Sequence, residues 1–208
     1  MKRIIVTRFS AMGDVAMVAS VIKEFLEIHR DVEIIMVSRP FFKSFFSAIP
    51  RVIFHDFHPQ GIHKYPWGLF KLFRELQQYK AWLVADLHNN IRSRILDSYF
   101  TLADYKVKIL NKGRAEKKKL TRPHAKQLVQ LRPTTERYAD VFRALGFPFS
   151  LAHTLQKEDM PYSKKVDALL QKKSRKIGIA PFAQHAFKVF PLAKMEALVS
   201  TLAAQGFE

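Results

Sequence analysis

Residues 2–14, KRIIVTRFSAMGD, decide the fold of this 208-residue chain. The β-branched run at residues 2–8 predicts a short buried strand, which the following polar residues interrupt. From Val15 onward, apolar residues recur at helical spacing and predict an amphipathic helix over residues 15–29. A strand, a short break and a helix are the opening of a βαβ unit.

The same alternation continues along the chain. Short apolar runs predict further strands at residues 33–38, 52–54, 81–87, 105–110 and 176–181. Helical patterns lie between or after them, at residues 41–48, 66–79, 90–102, 134–144, 163–172 and 191–204. Thr134 or Thr135 is the expected N-cap of its helix. The basic stretch at residues 111–133 has no periodic pattern. The sequence therefore predicts an α/β fold, a Rossmann-like parallel sheet with flanking helices.

Three segments follow from this pattern. Residues 1–150 are predicted to form a Rossmann-like domain, and residues 151–175 a connector. Residues 176–208 are predicted to be the first strand and helix of a second domain.

Composition narrows the class of protein. Cysteine is absent, which excludes disulfides and Cys-ligated zinc. The N-terminus lacks the apolar core of an export signal, and no apolar stretch is long enough for a membrane span, so a soluble, cytoplasmic protein is expected. Lys and Arg number 35 against 18 acidic residues, a net charge of +17. Such a surface attracts polyanions, either nucleic acid, anionic lipid headgroups or phosphorylated glycolipids.

The loop after the first strand is the first candidate site. Ligands of doubly wound sheets bind beyond the carboxyl ends of the strands. Ser10, Gly13 and Asp14 lie there, and Gly13 allows either a tight turn or the close approach of a ligand. From residue type, Asp14 is either the N-cap of the next helix or a general base facing an interdomain cleft.

Two further loops have polar residues suited to the same edge. Residues 181–191 (PFAQHAFKVFP) resemble a phosphate-holding loop, in which Lys188 is either a counter-charge for an anionic leaving group or a solvated lysine. Residues 86–93 (DLHNNIRS) end the fourth predicted strand. Their polar groups either line the cleft, or Asn89 or Asn90 caps the next helix.

Basic and histidine side chains form two other groups. The basic residues are either solvated surface or a landing surface for phosphates of a glycolipid or a bilayer; they are Lys64, Lys71, Arg74, Arg114, Lys117, Lys118, Lys119, Arg122 and Lys126. His55, His58 and His63 are close in sequence but lack supporting carboxylate or Cys ligands, so no metal site is predicted.

Four segments, spread from residue 3 to residue 199, resemble bacterial lipopolysaccharide heptosyltransferases, glycosyltransferase family 9. The opening IIVTRFSAMGDV resembles the family's apolar strand followed by R-F-S-(S/A)-(M/L)-G-D-V. DLHNNIRS resembles D-x-Q-G-x-x-(K/R)-S, with His88 and Asn89 in place of Gln and Gly. TTERYADVFRALGF resembles the family's helix ending in L-G. IGIAPFAQHAFKVFP resembles I-x-(I/L)-x-P-G-A-x-x-x-x-K-x-W-P, with Phe182 in place of Gly and Phe190 in place of Trp.

The resemblance implies a GT-B fold, of which residues 1–150 are the acceptor-side domain and residues 176–208 the start of the nucleotide-sugar domain. It implies inverting, metal-independent heptose transfer from ADP-heptose to a phosphorylated lipopolysaccharide inner-core acceptor, and another nucleotide-sugar is the alternative donor. Asp14 matches the catalytic base. Lys188, with Ala183 and Gln184, matches the donor diphosphate site. The loop around the base and the acceptor includes Ser10, Met12, Gly13, His88, Asn89 and Arg92.

The resemblance also sets the expected partners. The nucleotide-sugar is a substrate, so no cofactor and no metal are expected. Phosphates of the acceptor or of an anionic membrane are expected at Lys64, Arg114, Lys117, Lys118, Lys119 and Arg122, which implies a cytoplasmic protein peripheral to the inner membrane of a Gram-negative bacterium. The family's later donor motif lies beyond residue 208, so this chain alone is expected to be inactive. A non-catalytic scaffold of the same fold and a nucleic-acid-binding module are the alternatives.

Overall fold

The structure is a computed structural model that describes residues 1–153, 163–171, 174–183 and 185–208. The chain divides into two compact units, Met1–Thr154 and Leu155–Glu208.

The first unit is built on a parallel sheet of five strands. The strands are β1 (Lys2–Thr7), β2 (Val32–Ser38), β3 (Val52–Asp56), β4 (Leu83–Asp86) and β5 (Lys106–Ile109), in the order β3-β2-β1-β4-β5. Thr7, the last residue of β1, is paired with Val37 on one side and with Asp86 on the other. The predicted Rossmann-like parallel sheet is confirmed.

Helices cover both faces of this sheet. They are α1 (Met12–Ile28), α2 (Pro66–Gln77), α3 (Ile91–Leu102), α4 (Arg114–Thr121) and α5 (Thr134–Leu145), with a short 3-10 helix at Pro40–Phe45. Ile4 and Val6 of β1 point to one core, shared with α1 and α5, while Ile5 points to a second core, shared with α2 and α3. Because both faces of the central strands β1, β2 and β4 are buried, these strands have the apolar sequence from which they were predicted.

Two helix starts differ from the predictions, and one helix was not predicted. The first helix begins at Met12 with Ala11 at the N-cap, so the interpretation of Asp14 as the N-cap is wrong. Pro133 holds the N-cap of α5 in place of a threonine, since its fixed φ already directs the chain into the helix. Helix α4 was not predicted, because none of its residues is buried and it therefore has no apolar periodicity. Its Lys-rich sequence has high intrinsic helix propensity instead.

The second unit contains α6 (Lys164–Gln171), a 3-10 helix at Ala186–Lys188, and α7 (Leu192–Ala204). The prediction of a strand at residues 176–181 is wrong for the described residues. A single parallel bridge joins Arg175 to Phe207, with the Ile177 amide donating to the Glu208 carbonyl at 3.0 Å. One bridge is too short a ladder to count as a strand.

Candidate functional site

The carboxyl ends of β1 and β4 define the candidate site. The chain leaves β1 toward β2 on one side, whereas β4 and β5 lie on the other, so the strand order reverses between β1 and β4. Doubly wound sheets bind ligands at such a switch point. The backbone stays paired just past the strand ends, where the Leu87 amide donates to the Thr7 carbonyl at 3.1 Å.

Asp14 lies at this switch point, in the first turn of α1. Its side chain is 35% exposed and forms an ion pair with Arg8 through Oδ2. The hydroxyl of Tyr138 donates to Oδ1 at 3.3 Å, and the Ala11 amide lies 3.5 Å from Oδ2. A carboxylate has about four lone-pair positions, so this carboxylate keeps acceptor capacity for a ligand.

Arg8 and Tyr138 fix the orientation of Asp14. The buried guanidinium of Arg8 donates to the Leu87 carbonyl at 2.7 Å, and it lies 5.7 Å from the centre of the Tyr138 ring. Burial raises the pKa of Tyr138 to about 12, so its hydroxyl keeps its proton and remains a donor at neutral pH. The sequence interpretation did not include either residue.

Asp86 organises the turn after β4. Its buried carboxylate accepts hydrogen bonds from the Thr7 hydroxyl at 3.1 Å, the His88 amide at 2.7 Å and the Ser93 hydroxyl at 2.7 Å. The Asn89 amide also donates to it, at 2.9 Å. These contacts join β1, β4 and the start of α3 through one side chain.

His88 and Asn89, both predicted site residues, occupy this turn in different ways. His88 is buried, and burial together with the charge of Arg8 lowers its pKa to about 4, so the ring is neutral at neutral pH. Asn89 adopts a φ of 49°, and its side-chain Nδ2 donates to the Leu110 carbonyl at 2.7 Å. The cap of α3 is Asn90, whose side chain accepts from the Ser93 amide at 2.9 Å.

Lys112, just beyond β5, lies near the same site and was not among the predicted residues. Its pKa is lowered by partial burial and then by the charges of Arg8 and Arg114, while the charges of Asp86 and Asp14 act in the opposite direction. The rule that ligands meet the carboxyl ends of parallel strands would have included it.

The other predicted residues of the first loop are accessible. Ser10 is half-buried, while Met12 and Gly13 are exposed. A Cβ at Gly13 would meet nothing within 4 Å, and its backbone is helical, so a tight turn is not the reason for this glycine. The approach of a ligand to its backbone stays a prediction.

The predicted donor-site residues belong to the second unit. Lys188 ends the 3-10 helix, with its ammonium 6.0 Å from the centre of the Phe187 ring. Ala183 is exposed, and Gln184 lies outside the described residues. Phe182, which replaces the family's glycine, is 79% exposed, so its side chain points into solvent. Diphosphate binding by these residues stays a prediction.

The predicted basic surface is exposed to solvent at most positions. Arg114, Lys117, Lys118 and Lys119 project from α4, while Arg122 donates to the Ala125 carbonyl at 2.6 Å. The Lys64 ammonium lies 4.9 Å from the centre of the Tyr65 ring.

The three histidines that lie close together in the sequence, His55, His58 and His63, form a hydrogen-bonded group with Glu75. The His58 amide donates to Nδ1 of His63 at 3.1 Å, so the proton of the neutral His63 ring is on Nε2, 3.2 Å from Glu75. His55 approaches the same Glu75 oxygen at 3.2 Å. A protonated Nε2 is no metal ligand, and among the described residues no group of three potential ligands is suited to a metal ion.

Comparisons with known proteins find similarity in structure. The chain is similar to a family 9 glycosyltransferase from Veillonella parvula, with a TM-score of 0.72 and 18% identity over 100% of this chain and 61% of that one. It is similar to the E. coli ADP-heptose lipopolysaccharide heptosyltransferase II, with a TM-score of 0.63 and 16% identity over 100% of this chain and 63% of that one. It is also similar to E. coli heptosyltransferase WaaC, solved with ADP. The TM-score is 0.61, and the identity is 14% over 98% of this chain and 65% of that one.

These likenesses define the fold: the chain has the α/β fold of the GT-B glycosyltransferases. The structures to which it is similar are family 9 enzymes, heptosyltransferases among them, as the sequence resemblance predicted. The chain spans about three fifths of their length. No protein-family model matches the sequence, and no curated protein matches it. Within the described ranges, no helix combines the length and apolar character that crossing a bilayer requires.

Proposed function

We propose that this chain is the acceptor-side part of an inverting, metal-independent sugar transferase in which Asp14 is the general base. The observation that carries this proposal is the position of Asp14: a partly exposed carboxylate at the switch point, oriented by Arg8 and Tyr138. A general base must be accessible to its substrate and held in one orientation, and this arrangement supplies both.

The reaction proposed is displacement at an anomeric carbon. Asp14 takes the proton of an acceptor hydroxyl while that oxygen forms a bond to the anomeric carbon. The bond to the nucleoside diphosphate breaks on the opposite face, so the configuration inverts, and Lys188 with the loop at Ala183 and Gln184 offsets the charge that develops on the leaving group. No cofactor or metal takes part.

The donor class follows from the neighbours. Heptosyltransferase WaaC has been solved with ADP and with ADP-2-deoxy-2-fluoro heptose. These structures support a nucleotide-sugar as the donor, and we propose ADP-heptose as that donor.

A phosphorylated lipopolysaccharide inner core is the proposed acceptor, reached at an anionic membrane surface. The net charge of +17 favours such a surface, and each Lys or Arg near it contributes about 1 kcal/mol. The exposed lysines of α4 support the contact, as does Lys64. Tyr65 stacks on the exposed ring of Trp67 beside Lys64, and aromatic side chains of this kind favour the membrane interface.

The test is ADP release from ADP-heptose by the full gene product, in the presence of a phosphorylated inner-core acceptor. Asp14→Asn is expected to lower turnover at least about 100-fold, the range of a lost general base, in a protein that still folds. Asp31→Asn is the matched control, since Asp31 is an exposed carboxylate paired with Lys2. Equal turnover of the two variants would show that Asp14 is not the base. Absence of transfer in the wild type would instead favour a scaffold.

A further inference from the structure

An apolar groove lies where the chain leaves β2 and β3. It has a volume of about 590 Å³ and is lined by residues 39–41 and residues 57–62, which are distinct from the residues around Asp14. Phenylalanine, proline and isoleucine side chains supply most of the lining. Sites for small ligands have volumes of about 300–1,000 Å³ and mostly apolar linings, so the groove has the size and the polarity of a binding site.

One wall of the groove is exposed because its neighbours fill the core. In the 3-10 helix Pro40–Phe45, Phe42 is buried, and Phe46, directly after the helix, is buried as well. Phe41 is left outside the core and is 76% exposed. Ile62, which lines the same groove, is 54% exposed. Large apolar side chains that are exposed together around one groove are typical of a site that a ligand covers.

The other wall is held in place from behind. Phe57 is fully buried, and the centre of its ring lies 4.0 Å from that of Phe9 and 5.7 Å from that of His63. His63 is fixed in turn by the His58 amide and by Glu75 of α2. Because these contacts fix the wall, a ligand that enters the groove has little chain to order.

The surroundings of the groove are basic. The segments at residues 39–45 and 57–65 contain the exposed cations Arg39, Lys43 and Lys64 and no acidic residue, although Asp56 directly precedes the second segment. An apolar groove with cations around it is complementary to an anionic amphiphile, whose chain enters the groove while its headgroup meets the positive charge. Arg39 lines the groove itself, and its guanidinium is suited to a carboxylate or a phosphate.

An aromatic pair suited to a membrane interface lies beside the groove. A Cβ on Gly68 would lie 2.9 Å from Cα of His63, so the first turn of α2 packs against the end of the groove segment. Trp67 in that turn is 71% exposed and stacks on Tyr65, with ring centres 4.7 Å apart. Exposed tryptophan and tyrosine side chains favour the headgroup region of a bilayer. The groove and the aromatic pair therefore favour the same environment, the interface of a lipid bilayer.

We propose that this groove binds one acyl chain of an anionic membrane lipid, with Phe41 and Ile62 along the chain and Arg39 at the headgroup. The chain covers the two exposed apolar side chains, and the hydrophobic effect supplies most of the affinity. The groove follows the carboxyl ends of β2 and β3, so the edge of the sheet that also holds Asp14 faces the bilayer. Lipid binding does not depend on sugar transfer; only the identification of this bilayer as the one that holds the acceptor rests on the proposed function.

The first test is calorimetric titration of the 208-residue chain with octanoate and with decanoate, below the concentrations at which they form micelles. Saturable 1:1 binding is expected. Decanoate should bind at least about tenfold more tightly than octanoate, because each buried methylene group contributes about fourfold, or about 0.8 kcal/mol. Phe41→Ser should weaken decanoate binding at least about tenfold, which corresponds to about 1.4 kcal/mol. The matched control is Leu102→Ser, at a position 85% exposed at the end of α3, which should bind decanoate as the wild type does.

The second test uses phosphatidylglycerol vesicles with brominated acyl chains, which quench tryptophan fluorescence at close range. The chain has two tryptophans, Trp67 beside the groove and Trp82 just before β4, at the opposite edge of the sheet. Quenching is expected in Trp82→Phe, which retains Trp67, and not in Trp67→Phe, which retains Trp82.

Equal weakening by Phe41→Ser and Leu102→Ser, or decanoate binding that does not saturate, would overturn the proposal. Equal quenching of the two tryptophans would overturn it as well, since no one face of the protein would then meet the lipid. Decanoate binding without quenching of Trp67 would identify a free carboxylate as the ligand in place of a membrane lipid. Dimerisation that decanoate abolishes would show that a second copy of the chain covers the groove instead.

The groove and the proposed transfer can fail separately. Asp14→Asn should retain decanoate binding, because Asp14 does not line the groove. Phe41→Ser should retain transfer to a soluble acceptor without acyl chains. Loss of decanoate binding in Asp14→Asn would contradict the separation of the two sites.

Discussion

The hydroxyl of Tyr138 lies 3.3 Å from Oδ1 of Asp14, although 124 residues separate them in the chain. The ring of Tyr138 is fully buried in the core beneath α5. The packing of that core therefore determines where one oxygen of Asp14 points, and the site depends on the fold of the whole first unit.

Tyr138→Phe removes this hydrogen bond and keeps the buried ring. We expect turnover to fall about tenfold, because Asp14 loses one of two groups that orient it, and the free energy of unfolding to fall by only about 1 kcal/mol. Steady-state kinetics and urea unfolding measure both, and the effect should appear in kcat with little change in KM. Tyr99→Phe makes the same chemical change at an exposed hydroxyl that donates to the Pro66 carbonyl. An equal loss of kcat in both variants would contradict the orienting role of Tyr138.

Gly113→Ala should destabilise the protein. A Cβ there would lie 2.6 Å from the Arg137 guanidinium, and Gly113 has a φ of 62°, which disfavours side chains. We expect the free energy of unfolding, measured with urea, to fall by about 1–3 kcal/mol.

Gly13→Ala is the opposite case, since its Cβ meets open space in a helix. The free energy of unfolding of Gly13→Ala should rise by up to about 1 kcal/mol. If ligands approach the Gly13 backbone, the same variant also loses transfer activity. Equal destabilisation by Gly113→Ala and Gly13→Ala would show that the contact with Arg137 and the positive φ of Gly113 do not determine the effect.

The neutral, buried ring of His88 should make stability depend on pH. Its pKa is about 4 in the folded protein, against 6.5 for an ordinary histidine. The unfolded chain therefore takes up a proton first as pH falls, so the stability that His88 contributes is present above pH 6.5 and lost as pH approaches 4. Thermal unfolding across this window should show a smaller acid-side loss for His88→Gln than for the wild type. The exposed His124 provides the control variant, His124→Gln, which should follow the wild-type curve.

Asp97 should make stability depend on pH in the opposite sense, with stability falling as pH rises. Its side chain is buried, and the carboxylate of Asp86 acts on it. Burial, followed by the charge of Asp86, raises its pKa to about 9 from an ordinary value of 3.8. The contribution of Asp97 to stability is therefore full below pH 3.8 and is lost as pH rises toward 9.

Asp97→Asn keeps the shape and removes the ionisation. We expect a gain of at least about 1 kcal/mol in unfolding free energy at pH 8, and a flatter dependence on pH above neutrality. Denaturant unfolding at several pH values measures this. Asp104→Asn, at an exposed position with a φ of 60°, is the control and should change little. A wild-type stability that does not fall between neutral and alkaline pH would refute the assignment.

The sequence was sufficient for the sheet, because the central strands β1, β2 and β4 are buried on both faces and therefore have nearly continuous apolar runs. It was insufficient for α4, whose residues are all outside the core, so that helix leaves no periodic signal. It was misleading at residues 176–181, where an apolar run predicts a strand. A strand also requires several paired residues on a neighbour, and only the bridge between Arg175 and Phe207 forms within the described ranges.

The candidate site divides in the same way. The loop at Asp14 was found because it follows the first strand, and Lys112 would have been found by the same reasoning after β5. Arg8 and Tyr138 were missed, since their role comes from contacts with Asp14 that only the folded core creates.

The hydrogen bonds that converge on Asp86 have a thermodynamic consequence for recognition. They hold the backbone of the turn at residues 87–89 in one conformation. A ligand that binds beside this turn has no segment of chain to order, so the entropic cost of association is low. Selectivity at this edge of the sheet would then arise from complementarity to a rigid surface, and competing ligands would differ mainly in how quickly they dissociate.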